Sequence, residues 1–439
     1  MATEWFDELA EFLRIPSVSA DPALAAEVSR AGEWVCELVR AGGGSAELID
    51  WQGQPLAIGE FSASGGAERP TVICYGHFDV QPAAPLELWD SDPFEPEIRD
   101  GRLYGRGTAD DKGQLYMLLA AARELAQAGE LPVNVRFLCD GEEETGGHSI
   151  VEFLAADERG ADAAVIFDSG MIRRDVPAFN IATRGLVYYH LTVRTGERDL
   201  HSGIYGGVAL NAAHVLASIV AGLLAVDGRL AESLRAGIAA PTEAELAGWA
   251  LLPRGADELG ESGARPADAR AAEEFYLRTF AEPALDVNGL ESGSPQLQKT
   301  VLPVEAVANL SVRLAPGQDV ATVAAALERL VVERTPPGAT VVLEQLSAAA
   351  PGLVAPDSPV VLRGLDAFER VLGVRPALIR SGGTLPIVPA LAGRGIPAVI
   401  TGFALPDSNI HSPNECLVAE YVPLGIATAG ELYREFARL

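Results

Sequence analysis

Along its N-terminal part the chain alternates short apolar runs with stretches in which apolar residues recur at helical spacing. Residues 3–13 predict an amphipathic helix that ends near Pro16, and a second helix runs from Asp21, a suitable N-cap, to the stop at Ala41-Gly-Gly-Gly44. Short strands are predicted at 46–50, 56–61 and 70–75, the last delivering Gly76-His-Phe-Asp-Val80 at its C-terminal end. A loop rich in proline and acidic residues, 81–100, leads to Gly105-Arg-Gly-Thr-Ala-Asp-Asp-Lys-Gly113. Leu115, Leu118, Leu119, Ala122 and Leu125 then mark a helix that stops by Gly129. A strand at 133–139, a helix at 148–156 and a strand at 162–167 follow. Such alternation predicts an α/β layer structure around a mainly parallel sheet. The polar clusters fall just beyond the C-terminal ends of the strands, where open α/β sheets place their sites.

From Gly185 the pattern changes. Residues 186–195 alternate like a half-buried strand, and 211–224 form an apolar helix. An insertion at 226–293 carries no interpretable motif. A strand at 306–314, a helix at 320–334 and a strand at 340–346 complete a smaller α+β unit, and 347–356 reads as the connector out of it. The expected organisation is a catalytic domain in two parts, 1–184 and 350–439, with a second domain at 185–349 between them.

Composition narrows the function classes. The chain has 439 residues, 48% of them hydrophobic and 21% charged, ample for a packed core. No apolar run is long enough for a transmembrane helix, and no basic-then-apolar leader opens the chain, so a cytoplasmic location is expected. A formal net charge of -28 argues against nucleic acid as a partner, because neutralising phosphates needs a Lys/Arg footprint that is absent. Cys36, Cys74, Cys139 and Cys416 are scattered without a Cys-x-x-Cys pair and are expected to be buried free thiols.

The chemistry sits at the strand ends. Three adjacent carboxylates, Glu142 to Glu144, repel one another, and taken alone the run reads as a solvated loop. Other ionisable residues occupy equivalent places: His77 and Asp79, Asp110 and Asp111, Asp168, and later His411 in Asn409-Ile-His-Ser-Pro-Asn-Glu415. Several carboxylates with two histidines suit one or two divalent ions of the zinc or manganese type. In a His-x-Asp strand end the two side chains point to opposite faces, so Asp79 is expected to orient His77 and not to share its ion. His148, His190 and His214 have no companion motif and are assigned structural roles.

These motifs, with Glu142-Glu-Glu-Thr-Gly146, resemble the M20 family of metallopeptidases over nearly the whole chain. Asp199-Leu-His-Ser-Gly-Ile-Tyr-Gly-Gly207, Lys299-Thr-Val-Leu-Pro303, Ser311-Val-Arg-Leu314 and Ser381-Gly-Gly-Thr-Leu-Pro386 are similar to its carnosinase-like dipeptidase branch. The resemblance implies two Zn2+ per subunit, with Mn2+ as the other suitable ion. His77 would hold one ion and His411 the other, Asp110 would bridge them through a loop with a cis bond to Asp111, and Glu144 and Asp168 would each supply a terminal carboxylate. Glu143 would be the general base, with Glu142 left to solvent or support. The second domain would be a ferredoxin-like lid that forms a homodimer. Through it, His201 and Thr300 would reach the partner's substrate, while Arg313 and Thr384 would hold the substrate's C-terminal carboxylate. The implied activity is hydrolysis of dipeptides or short peptides. An N-acyl-amino-acid deacylase is the alternative within the family, and an inactive homologue serving as a binding protein is the alternative outside catalysis.

Overall fold

A computed structural model describes residues 4–294 and 296–439. Its central sheet has six strands in the order Ser45–Trp51, Gln54–Phe61, Asn134–Asp140, Thr71–His77, Ala163–Phe167 and Ala398–Thr401. The first three pair antiparallel in succession, and the remaining contacts are parallel. Strands covered by helices on both faces need apolar side chains on both, which is why Thr71–His77 and Ala163–Phe167 read as near-continuous apolar runs; in Asn134–Asp140 the one interior charge, Arg136, is met by Asp157. The helices Ala25–Ala41, Lys112–Gln127, Pro359–Leu372 and Tyr421–Phe436 supply the cover, the last wedged between the two before it. One buried apolar cluster draws on residues from Leu9 to Phe179 and again from Val354 to Phe436.

A second apolar cluster, from Val187 to Val331, lies under a separate antiparallel sheet. Its strands run in the order Ala284–Glu291, Glu305–Leu314, Gly185–Arg194, Thr340–Ala349, with the helices Ala212–Leu223 and Val320–Arg334 packed on it. In chain order this is β-α-β-β-α-β, the ferredoxin-like arrangement. Asn211 and Asp319 cap the two helices through their side chains.

Three local differences from the sequence pattern stand out. The strand expected at 340–346 continues to Ala349, so the connector begins later. Ala178–Thr183 forms an unexpected strand, joined by Gly352–Leu353 and Ala377–Ser381. It is buried along its whole length, so it shows no alternation that would mark it. Inside the insertion, Ala284–Glu291 is an edge strand with a bulge between Val287 and Gly289, and its exposed polar residues conceal it.

Of the rest of the insertion, Leu230 and Leu234 join the smaller unit's apolar cluster, whereas the segment around Glu243–Trp249 packs against the strand Ala377–Ser381. The helix Glu243–Trp249 opens with a capping box from Thr242 and Glu245. Gly248 comes so close to the strand Ala377–Ser381 that a Cβ there would lie 2.2 Å from the carbonyl oxygen of Leu378. The other Glu245 oxygen accepts from Nε of Arg380 at 2.5 Å, and both side chains are buried. Arg380 also donates to the carbonyl of Ala239 at 3.0 Å and lies over the ring of Trp249. Removing one member of such a pair leaves an uncompensated buried charge. Glu245→Ala is therefore expected to lower the unfolding free energy by about 3–5 kcal/mol, whereas Glu245→Met with Arg380→Met should recover most of the loss. Urea denaturation of the three proteins checks this; a single variant as stable as the parent would refute the ion pair's role.

Candidate metal centre

The C-terminal ends of Thr71–His77, Asn134–Asp140 and Ala163–Phe167 are neighbours in the sheet, so His77, Glu142–Glu144 and Asp168 arrive together because of strand order alone. Asp110 enters from the loop before the helix Lys112–Gln127, and its peptide bond to Asp111 is cis. His411 comes from the loop after Ala398–Thr401, where Asn409, His411 and Asn414 all take left-handed backbone conformations. Asn414 fixes that loop by accepting from the Asp90 amide at 2.8 Å and donating to the Leu88 carbonyl at 3.0 Å.

Two groups of donors result. His77, Asp110 and Asp168 form one, and Asp110, Glu144 and His411 form the other; within each, the ligand atoms all lie within 4.8 Å of one another. Asp110 belongs to both, with Oδ1 3.0 Å from Nε2 of His77 and Oδ2 2.8 Å from Nε2 of His411. Oε2 of Glu144 is 3.2 Å from Nε2 of His411 and accepts from Gln81 at 2.8 Å, while its Oε1 is buried without a partner among the described residues. Oδ1 of Asp168 stands 4.0 Å from Nε2 of His77.

Asp79 is buried beside this cluster. Its carboxylate lies 3.3 Å from Nδ1 of His77 and accepts from the backbone N–H groups of Glu143 and Glu144 at 3.2 and 3.1 Å. The same side chain therefore orients the imidazole and anchors the acidic loop. Among the described residues, the Glu143 carboxylate accepts no hydrogen bond, and burial pushes it up to about 7, with Glu144, Asp110 and Asp79 adding to the rise against the pull of His77. Burial likewise holds Asp168 well above the usual carboxylate range. For Asp110 burial is outweighed by the hydrogen bonds from His411 and His77, which hold it below that range. His77 is pushed well up despite its burial by Asp110 and Asp79, and His411 reaches about 10 through Asp110 and Glu144. Buried carboxylates, imidazole nitrogens aimed at them and a Glu144 oxygen without a partner among the described residues form a donor set that fits divalent metal ions.

Glu142 is not in solvent. It is buried, and Oε1 accepts from the amide and hydroxyl of Ser149 at 2.7 and 2.5 Å, so it caps the helix His148–Ala156. Elsewhere, Nη1 of Arg313 donates to the hydroxyl of Thr384 at 3.0 Å. His201 and Thr300 lie together on the exposed ribbon in which Leu200–His201 pairs with Val301–Leu302, and among the described residues no hydrogen bond joins either to the metal cluster. His148 and His214 are exposed and His190 bonds Asn309, so none of the three enters the centre.

The family model for peptidase family M20/M25/M40 matches residues 73–435. The chain belongs to this family. It is a metal-dependent hydrolase of the peptidase class. Its relatives include the Cys-Gly metallodipeptidase of Schizosaccharomyces pombe, 28% identical over 414 residues, which are 88% of this chain and 85% of that protein. The Beta-Ala-His dipeptidase of Homo sapiens is 28% identical over 422 residues, 92% of this chain and 81% of the relative. An M20 family metallo-carboxypeptidase from Sulfolobus solfataricus has the same fold, with a TM-score of 0.84 at 26% identity over 99% of this chain and 100% of its own. Among the described residues no helix is long and apolar enough to cross a membrane.

Residues overlooked in the sequence act behind the donors. Gln114 donates to the carbonyls of Ala109 and Ser169 and accepts from the amide of Phe403, which ties together the loops of Asp110, Asp168 and His411. Gln81 and Glu415 make comparable links, and only Glu415 carried a signal, being a charged residue within the His411 motif. The assignment of Glu142 is open to test in this M20 peptidase. Glu142→Ala should destabilise the metal-free protein by about 1–3 kcal/mol, since a buried amide and hydroxyl lose their acceptor. An unchanged denaturation midpoint would return Glu142 to solvent.

Proposed function

We propose that this M20 peptidase hydrolyses dipeptides or short peptides with a free C-terminal carboxylate, using two divalent cations, zinc or manganese, that share Asp110. The observation that carries this reading is the pair of donor groups with Asp110 in both. His77 and Asp168 would hold one ion, His411 and Glu144 the other. Bound there, the ions would supply the positive charge that acidifies water and polarises the scissile carbonyl.

The chain's own residues do the rest. Glu143, whose carboxylate accepts no hydrogen bond among the described residues, takes a proton from water as the water oxygen attacks the amide carbon. As the C–N bond breaks, the same carboxyl returns that proton to the leaving amine. Asp79 holds the His77 ring and the Glu143–Glu144 backbone in register through these steps. Arg313 and Thr384, already in contact, receive the peptide's terminal carboxylate, for which a guanidinium is suited.

His201 and Thr300 would complete the site of a second subunit in a homodimer. Support comes from the surroundings of their ribbon, where Ile204, Val208 and Leu297 are 68%, 84% and 58% exposed, an apolar surface that a second copy would cover. The four cysteines are free and buried, which suits a reducing compartment such as the cytoplasm.

Metal analysis and kinetics test these roles. Glu143→Gln should retain two ions per subunit and lose at least 100-fold in kcat, because base catalysis contributes on the order of 10²–10⁴. Asp110→Asn should lose an ion; two tightly held ions in that variant would refute the shared carboxylate. A panel of dipeptides beside N-acetyl and N-succinyl amino acids sets the substrate class, and turnover of acyl substrates alone would make the enzyme a deacylase. His201→Ala and Arg313→Ala should each be nearly inactive, and mixing them should restore activity in heterodimers that carry one intact site. No recovery after subunit exchange would exclude a site shared between subunits.

A further inference from the structure

The loop that presents Asp110 lies between the strand Arg102–Tyr104 and the helix Lys112–Gln127 and has no ladder of its own, so its backbone must be held from outside. Glu415 does this. It is fully buried, and Oε1 accepts from the backbone N–H groups of Ala109 at 2.8 Å and Asp110 at 3.1 Å. Oε2 accepts from the N–H of Gly107 at 3.1 Å and from Nη1 of Arg106 at 2.7 Å. Its main-chain carbonyl accepts from the amide of Gly105 at 3.1 Å.

Arg106 is buried too; it donates to the carbonyl of Pro82 at 3.2 Å and lies over the Trp89 ring. Four residues before Glu415, Nε2 of His411 meets Oδ2 of Asp110. One short segment thus holds Asp110 at both ends, by its carboxylate through His411 and by its peptide N–H through Glu415.

We infer that Glu415 is a positioning residue that sets where the Asp110 carboxylate stands between His77 and His411, and that metal affinity depends on it. The inference rests on Asp110 being the shared ligand. A carboxylate is suited to the task because it is acceptor-only, with two oxygens that here serve four N–H donors. An amide in the same place has one acceptor oxygen and turns its NH2 group toward N–H donors. The loop would then move to relieve that contact, carrying Asp110 away from the histidines. Partners behind metal ligands commonly govern affinity in this way, at a cost of about 10–100-fold when lost.

The test uses the full chain, stripped of metal and titrated with Zn2+ against a competing chelator. Glu415→Gln should bind zinc about 10–100-fold more weakly. Its kcat should recover as free zinc is raised, with the KM for a dipeptide substrate unchanged. A purely structural role would lower the denaturation midpoint of the metal-free protein, yet leave the zinc affinity of the folded fraction at the parent value, and that result would overturn the inference. If Glu415→Gln does not fold, Arg106→Lys serves instead, since it keeps the charge but loses the planar fork; a smaller loss of affinity is expected, and parent affinity would count against the proposal. Asp110→Asn separates the two levels. Two ions retained in that variant would overturn the shared ligand and this inference with it. An ion lost there, with parent affinity in Glu415→Gln, would overturn the positioning role alone.

Discussion

Asp79, Asp110, Glu143, Glu144 and Asp168 are carboxylates crowded around two imidazoles at one edge of a sheet, and their mutual repulsion is the constraint that the surrounding structure withstands. Parallel strands create the crowding, since every C-terminal end points the same way and the loops that leave them share one small volume. Burial makes the repulsion worse by removing water. The answer differs from residue to residue. Asp79 is met by two backbone amides and an imidazole, Asp110 by two imidazoles, and Glu144 by Gln81 and His411, both on one oxygen. Glu143 and Asp168 are left without comparable donors, and both are pushed upward by burial. The charge deficit is greatest where cations would reside.

A site under such repulsion needs a stiff frame, and buried polar groups provide it outside the donor set. Lys112, next in the chain after Asp111, sends its ammonium to the carbonyls of Phe12 and Ile15 at 3.2 and 2.6 Å and so fixes the base of the Asp110 loop to the end of the first helix. Burial lowers it to about 7. Gln114 and Glu415 reach in the other directions, toward the loops of Asp168 and His411. None of these three needs to touch substrate; each limits how far the Asp110 loop can travel.

The sequence makes some of this legible and hides the rest for identifiable reasons. Candidate donors were readable because strand ends carry them in separate short motifs, and His77, Asp110, Glu144, Asp168 and His411 lie close together in the fold. The central sheet was readable for the same reason, as its doubly covered strands are apolar throughout. Of the two roles open to Glu142, solvent or support, the structure shows support; three glutamates in a row look equivalent in sequence, and only the turn at Gly146 and Gly147 brings Ser149 back to the first of them. Glu415 and Gln114 are hard to read because, Arg106 aside, their partners are backbone groups, which leave no trace in residue identity. The insertion was opaque because its edge strand is mostly exposed and its buried ion pair joins positions far apart in the chain.

That ion pair bears on the loop that carries Thr384. Arg380, held by Glu245 and Ala239, lies four residues before Thr384. Between them, the carbonyl of Gly383 accepts from the backbone N–H of Arg184 at 3.0 Å, and Thr384 itself meets Arg313. Arg184 in turn donates to the carbonyl of Thr279, again in the insertion. The loop that carries Thr384 is thus held by the insertion, by the crossing between the two sheets and by the smaller sheet. None of these contacts comes from the strands that bear the metal donors. The insertion thus reaches the Thr384 loop through Arg380 and Arg184. The Asp168 loop is tied to the same region, because Ala377–Ser381 pairs with Ala178–Thr183, where Asn180 donates to the hydroxyl of Ser169, whereas the Asp110 loop has its own clamp in Glu415.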